Sequence, residues 1–398
     1  MLTGVFADDH GEIFDAPGWG AAGQSWDVAV ACNPSEMIPL PEGSELMYLP
    51  GRPAIGMKKN KALPLGRGKY AVAAILPVGH TRLYLPAFAK NPGAPVLPLF
   101  GYTAVAWGRG KFWVAAVRSD DTEKWNPAHY NGKDLARRIA RVRCELPDNP
   151  LVEHLSRCSR EWHCCTAQNL FYHRWEAGIP TSPTCNANCL GCISLQPAQC
   201  CPSPQSRIQF TPSGKEIAAV ALYHLQSAPE AIVSFGQGCE GEPALAAPSI
   251  AEAITEVRSQ TRRGIINMNT NAGYTEGIMR VVDAGIDSLR VSLISAREDT
   301  HQAYYRSAYT LENVRSSIRY AKAKGCHVSV NMLLFPGLND RPDEISAWEE
   351  FLRDTGVDMI QLRNLNLDPD ELRAILPGFS GAGSGVATLV RKLQTALP

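Results

Sequence analysis

From residue 179 to 364 short β-prone runs alternate with longer amphipathic stretches. Apolar or alternating runs occur at "IPTSPT" (179–184), "AIVSF" (231–235), "IINMN" (265–269), "DSLRVSL" (287–293), "CHVSVNMLLF" (326–335) and "DMIQLRN" (358–364). Helical spacing fills the gaps at 215–227, 248–263, 274–284, 311–324 and 343–354. Strands separated by helices predict parallel β/α units. Six are fewer than the eight that close a full barrel, so a partial (β/α)6 barrel or a doubly wound sheet is expected. In either, function belongs at the C-terminal ends of the strands.

Residues 1–130 have a different pattern, rich in Pro, Gly and short apolar runs. "FGYTAVAWGRGKFWVAAV" (100–117) predicts a hairpin around a Gly-Arg-Gly turn, within a small β-rich domain. Residues 131–178 carry helical periodicity, with Gly178 and Pro180 as the expected stop. This gives an α/β chain of four parts: a β-rich domain (1–130), a helical bridge (131–178), a β/α core (179–364) and a helical tail (365–398). In the tail, "PGFSGAGSG" (377–385) has the composition of a flexible linker, and "VATLVRKLQTAL" predicts an amphipathic helix.

The 398 residues include 39 basic and 39 acidic ones, so net charge favours neither nucleic acid nor membrane as partner. No run approaches the ~20 apolar residues of a membrane helix. The N-terminus has no basic start followed by an apolar block, so no signal peptide and a cytoplasmic location are expected. There, twelve cysteines predict metal binding or chemistry rather than disulfides. Local basic clusters (Arg52, Lys58, Lys59, Lys61, Arg67 and Lys69; Arg137, Arg138, Arg141 and Arg143) would suit phosphate, as in an RNA-modifying enzyme, or simply form a solvated face.

The densest chemistry is "PTCNANCLGCISLQPAQCCPSPQ" (183–205). Cys185, Cys189 and Cys192 follow the first candidate strand, in a loop of small or turn-prone residues. Such a triplet suits zinc or an iron–sulfur cluster. Three thiolates on a four-iron cubane leave one iron open for a ligand. A zinc ribbon completed by Cys200 or Cys201 accounts for the thiols as well.

Cys185-x-x-x-Cys189-x-x-Cys192 ahead of a partial β/α barrel resembles the radical S-adenosylmethionine (radical SAM) superfamily. Further segments resemble that family in order: "SFGQGCEGEP" its Gly-Gly-Glu-Pro motif, "NTNAG" (269–273) its turn after the third strand, and "NMLLFPGLND" (331–340) its Pro-Gly-x-Asn-Asp turn. The resemblance implies a [4Fe–4S] cluster held by Cys185, Cys189 and Cys192, with S-adenosylmethionine (SAM) on the open iron. Gly241 and Glu242 would take the SAM amino group, and Asn269, Asn271, Arg290, Ser292 and Ser295 its ribose or carboxylate. It implies reductive cleavage of SAM to a 5′-deoxyadenosyl radical that abstracts hydrogen from an unidentified substrate. An external electron donor such as flavodoxin or ferredoxin is implied too. Gly191 stands where the family usually has an aromatic residue, which leaves the adenine contact unassigned.

Surplus thiols at Cys158, Cys164, Cys165, Cys200 and Cys201 leave room for a second iron–sulfur cluster. Cys239 is a candidate hydrogen donor or covalent carrier, or a small residue filling a turn. The alternatives are an RNA- or peptide-modifying methyl or sulfur transferase of the same superfamily, and a non-catalytic zinc or iron–sulfur binding module. His163 and His173 read as packed or surface histidines.

Overall fold

In a computed structural model, which describes residues 2–397 except 98, 122, 196–202, 204 and 377, the chain divides into two units. The first comprises residues 1–124, 333–349 and 362–396; the second comprises 125–332, 350–361 and the last two residues. Among the described residues no helix is long and apolar enough to cross a membrane.

The first unit is β-rich. The expected hairpin is present as Tyr102–Gly108 paired antiparallel with Lys111–Arg118, and Arg109 and Gly110 turn it with positive φ. Alternation along the hairpin sends Val105, Val114 and Ala116 into one core with Val5 and Val72. It sends Ala104, Ala106 and Ala115 into another with Ala21, Cys32 and Met37. The sheet is therefore apolar on both faces. Ten short strands between Thr3 and Arg118 belong to it.

The C-terminal segments fold into this same unit. Arg52 is fully buried and pairs with Asp368 at 3.0 Å. Arg82, also fully buried, donates to the carbonyl oxygens of Phe100 and Leu365, and burial pulls its pKa down to about 9. The segment read from composition as a flexible linker is instead fastened. Trp26 Nε1 donates to Phe379 O, Gly381 N to Asp27, Gly383 N to Ser25 Oγ and Gly385 N to Asp340. Its small residues allow close approach: a Cβ on Gly383 would lie 2.2 Å from Asp340. The "FPGLND" turn packs here too, with Trp26 N donating to Pro336 O and no room for a Cβ on Gly337 beside Trp26.

The second unit opens with α1 (Leu135–Glu145), α2 (Pro150–Glu161) and α3 (Cys165–Tyr172). The helical run stops earlier than Gly178: His173 adopts φ +51 and ends α3. The first barrel strand, β1 (Glu176–Gly178), follows at once. "IPTSPT" is not a strand, because Pro180 and Pro183 lack the N–H a central strand donates. The remaining strands fall within about two residues of expectation: β2 (Ile232–Phe235), β3 (Ile265–Thr270), β4 (Ser288–Leu293), β5 (His327–Leu334) and β6 (Met359–Asn364). They lie side by side in chain order, parallel from β1 to β5, as a partial barrel. The helices are α4 (Gly214–Ser227), α5 (Ala247–Gln260), α6 (Thr275–Asp283), α7 (Glu298–Tyr305), α8 (Leu311–Ala323) and α9 (Pro342–Thr355). In the tail come α10 (Pro369–Ile375) and α11 (Val386–Ala396). The α7 segment lacks an apolar stripe and was not expected.

Asp368 is a hub of the first unit: besides Arg52 it accepts from Leu97 N at 2.9 Å and from Asp370 N at 3.0 Å, capping α10. Removing one partner of a buried ion pair strands the other, at about 3–5 kcal/mol. Asp368→Ala is therefore expected to lower stability by that amount in denaturant unfolding, and Asp368→Asn, which keeps the cap, by less.

Candidate functional site

Paired residues of a parallel ladder share a face, so the register separates the sheet into two chemistries. One face carries Ala177, Val233 and Ile266 in one row and Phe235, Met268, Leu289 and Val328 in the next, all buried. The other carries Gly178, Ser234, Asn267, Ser288 and His327; then Asn269, Arg290 and Ser329; then Ser292 and Asn331. The strands of a wholly parallel sheet ordinarily read as near-continuous hydrophobic runs. Here one face is polar up to its C-terminal ends.

The lower part of that face is internally paired. Arg290 donates to Glu176 at 2.6 Å, Ser234 Oγ also donates to Glu176, Asn267 Nδ2 donates to Ser234 Oγ at 3.1 Å, and Ser288 Oγ donates to Asn267 at 2.8 Å. Arg290 is thus engaged by a buried carboxylate. Asn269 Nδ2 donates to Phe235 O at 3.0 Å. Ser295 Oγ accepts from Arg297 N at 2.9 Å, and the Ser292 carbonyl accepts from Tyr305 at 2.8 Å.

The three cysteines lie on the loop after β1. The loop after β2 is joined to its base by backbone bonds: Gly241 N to Ser182 O at 2.7 Å and Glu242 N to Thr184 O at 2.8 Å. Gly241 permits this approach, since a Cβ there would meet Thr184 O at 1.9 Å. Gly236 serves the neighbouring contact: its φ is +78°, and a Cβ would fall 1.7 Å from Asn269 O.

Glu240, which the sequence did not single out, braces both loops. One carboxylate oxygen accepts from Thr181 N, Thr181 Oγ1 and Ser182 N, the other from Gly236 N and Gln237 N, at 2.6–3.1 Å. Glu242 is also buried. It accepts from Ala244 N at 3.0 Å, Asn271 N at 2.8 Å and Thr270 Oγ1. Burial pushes its pKa up to about 7 against the opposing pull of those donors. Asn271 reaches the cysteine loop as well, its Nδ2 donating to Asn186 at 2.7 Å. Three strand-end loops therefore converge on one another.

Burial, first, and the neighbouring charges raise the pKa of Cys185 and Cys189; for Cys189 those charges are chiefly the other two thiols. Three mutually repelling thiolates are stabilised by a polycationic centre, so the donor set fits an iron–sulfur cluster. Two further residues surround it that no spacing rule signals. Arg207 donates to Cys192 Sγ at 3.7 Å and to Ser194 Oγ at 2.9 Å. Tyr309, largely buried, stands near the thiols and Glu242. The loop is further held by Asn188 N to Tyr305 O and Leu190 N to Tyr304 O.

Cys239 is buried, and its sulfur lies with Cys158 and His154. A hydrogen bond to Cys158 raises the Cys239 thiol and lowers Cys158. Cys165 Sγ faces the His163 carbonyl at 3.9 Å. Cys200 and Cys201 lie outside the described residues. His163 and His173 are paired with Asn131 and Ser227. Of the basic helix residues, Arg138, Arg141 and Arg143 pair with Asp134, Glu145 and Glu153.

No curated protein matches the chain by sequence. Among solved structures, the chain is similar to native anSMEcpe with bound AdoMet at 13% identity and TM-score 0.39, covering 49% of this chain and 52% of that one. It is similar to methylornithine synthase at 14% and 0.40, covering 66% and 76%. It is also similar to a radical SAM methyltransferase from Sphaerobacter thermophilus at 15% and 0.36, covering 51% and 63%. The chain thus spans about half the length of the first of these. The sequence profile of the Radical SAM superfamily matches residues 179–348. With a partial parallel barrel and three thiols on its first strand-end loop, residues 179–348 are a domain of the radical SAM superfamily of enzymes.

Proposed function

We propose that this chain is a radical SAM enzyme that abstracts hydrogen from a substrate still to be identified. The observation that carries this reading is the convergence of the cysteine loop, the Glu242 loop and the 269–273 turn at the C-terminal edge of a polar sheet face.

Cys185, Cys189 and Cys192 would hold a [4Fe–4S] cluster, and Gly241, Glu242 and the facing backbone would receive the amino end of SAM. When bound, cluster and SAM together supply reductive cleavage to a carbon radical that takes a hydrogen atom. The chain's own residues bind, orient and exclude water. Arg207 adds a positive charge beside Cys192, where the anionic ligand set of a cluster would stand. Glu242, fixed by three donors, presents its remaining acceptor capacity without reorganising. Ser292 and Asn331 form the uppermost polar row and are the first sheet residues a bound ligand would meet.

Anaerobically reconstituted protein is expected to bind about four irons per chain and to release 5′-deoxyadenosine with SAM and a reductant. A triple Cys185→Ala, Cys189→Ala, Cys192→Ala variant should lose both the iron and the product. Wild-type protein with a full iron complement whose electron paramagnetic resonance spectrum ignores SAM would overturn the reading.

Glu242 adds a pH signature. With its pKa near 7, it is largely protonated below that pH and must lose the proton to accept an ammonium. SAM affinity in calorimetric titrations is therefore expected to rise by up to about tenfold per pH unit from 5.5 towards 7 and to level off above. Glu242→Gln should flatten that profile and weaken binding at pH 8 by about ten- to a hundredfold, the worth of one charge-assisted hydrogen bond.

A further inference from the structure

The barrel chemistry leaves a second group of ligand-type side chains unused. His154 and Cys158 lie one turn apart on α2, so both project from the same face of that helix. Cys239 comes from the loop after β2. All three are buried, at 4%, 2% and 5% exposure. Their ligand atoms lie within 4.8 Å of one another, with His154 Nε2 and Cys158 Sγ 3.5 Å apart.

These separations match a single ion. Zinc holds sulfur at about 2.3 Å and imidazole nitrogen at about 2.0–2.1 Å, so a tetrahedral angle places the two about 3.6 Å apart. An iron–sulfur cubane spreads its thiolates further, because each sulfur binds a different iron. A pair of packed cysteines accounts for the sulfurs but gives no reason for an imidazole turned onto them inside the protein. We propose that His154, Cys158 and Cys239 bind one zinc ion. The helix turn that carries Cys158 is held beside the start of α3, where Cys164 N donates to Cys158 O at 3.2 Å. Two thiolates and one imidazole form a soft donor set suited to zinc. Its effect is mechanical: it fastens α2 to the loop that carries Glu240 and Glu242.

The test is metal analysis of full-length protein by mass spectrometry. Wild-type protein is expected to carry about one zinc per chain besides its iron. The Cys185→Ala, Cys189→Ala, Cys192→Ala variant should keep that zinc and lose the iron, which separates this site from the cluster reading. Cys158→Ser with Cys239→Ser should lose the zinc and keep the iron. Because that variant could misfold, wild-type protein stripped of zinc and given cobalt(II) supplies an independent readout. Intense visible absorption with a thiolate-to-cobalt charge-transfer band is expected. A weak six-coordinate cobalt spectrum, iron retained by the triple variant, zinc retained by the double one, or a Cys158–Cys239 disulfide in peptides of the purified protein would each overturn the proposal.

Discussion

The site depends on a main-chain contact, the seam between the loop after β1 and the loop after β2. Gly241 and Glu242 donate their amides to Ser182 and Thr184, directly before the first cysteine. The approach is so close that no side chain fits at position 241. Backbone bonds have little rotational freedom, so the thiol-bearing loop and the carboxylate-bearing loop share one frame. Strand-end loops are ordinarily among the more mobile parts of a β/α fold. This seam, braced by Glu240, makes a rigid element of two of them.

The sheet beneath supplies the second constraint. Burying polar side chains costs stability unless each finds a partner. The lower rows meet that cost internally, through the chain from Ser288 to Asn267, Ser234 and Glu176, which Arg290 closes. An apolar lower face would have packed at least as well. The polar network instead fixes one Arg and one Glu where a ligand on the upper rows would feel them. The opposite face, apolar except for Thr270 at its C-terminal end, holds the sheet against its amphipathic helices.

Strands β2–β6 were legible because each is a short β-prone run bounded by turn residues and separated by helical spacing. The first strand was not, because Glu176–Gly178 is only three residues long and adjoins helical sequence, while the more strand-like "IPTSPT" carries two prolines. Composition also misled at 379–385, where small residues serve close packing against Trp26 and Asp340 rather than freedom. In the site, the thiol spacing and Glu242 could be read along the chain. Glu240, Arg207 and Tyr309 could not, since each acts through a contact between distant segments. The trio of His154, Cys158 and Cys239 was hidden for the same reason: its members are four residues apart on a helix and then eighty-one further along.

Two carboxylates stand two residues apart on the same loop, and counting donors decides which of them can serve a cation. A carboxylate offers about four lone-pair positions. Glu240 already accepts five hydrogen bonds, four of them from backbone amides, so an approaching ammonium would have to displace one of these donors. Glu242 accepts three, two on one oxygen and one on the other. Its second oxygen retains capacity, and that oxygen is held by Asn271, whose side chain also touches the cysteine loop. Glu240 therefore builds the frame, and Glu242 is the acid left with something to offer a ligand.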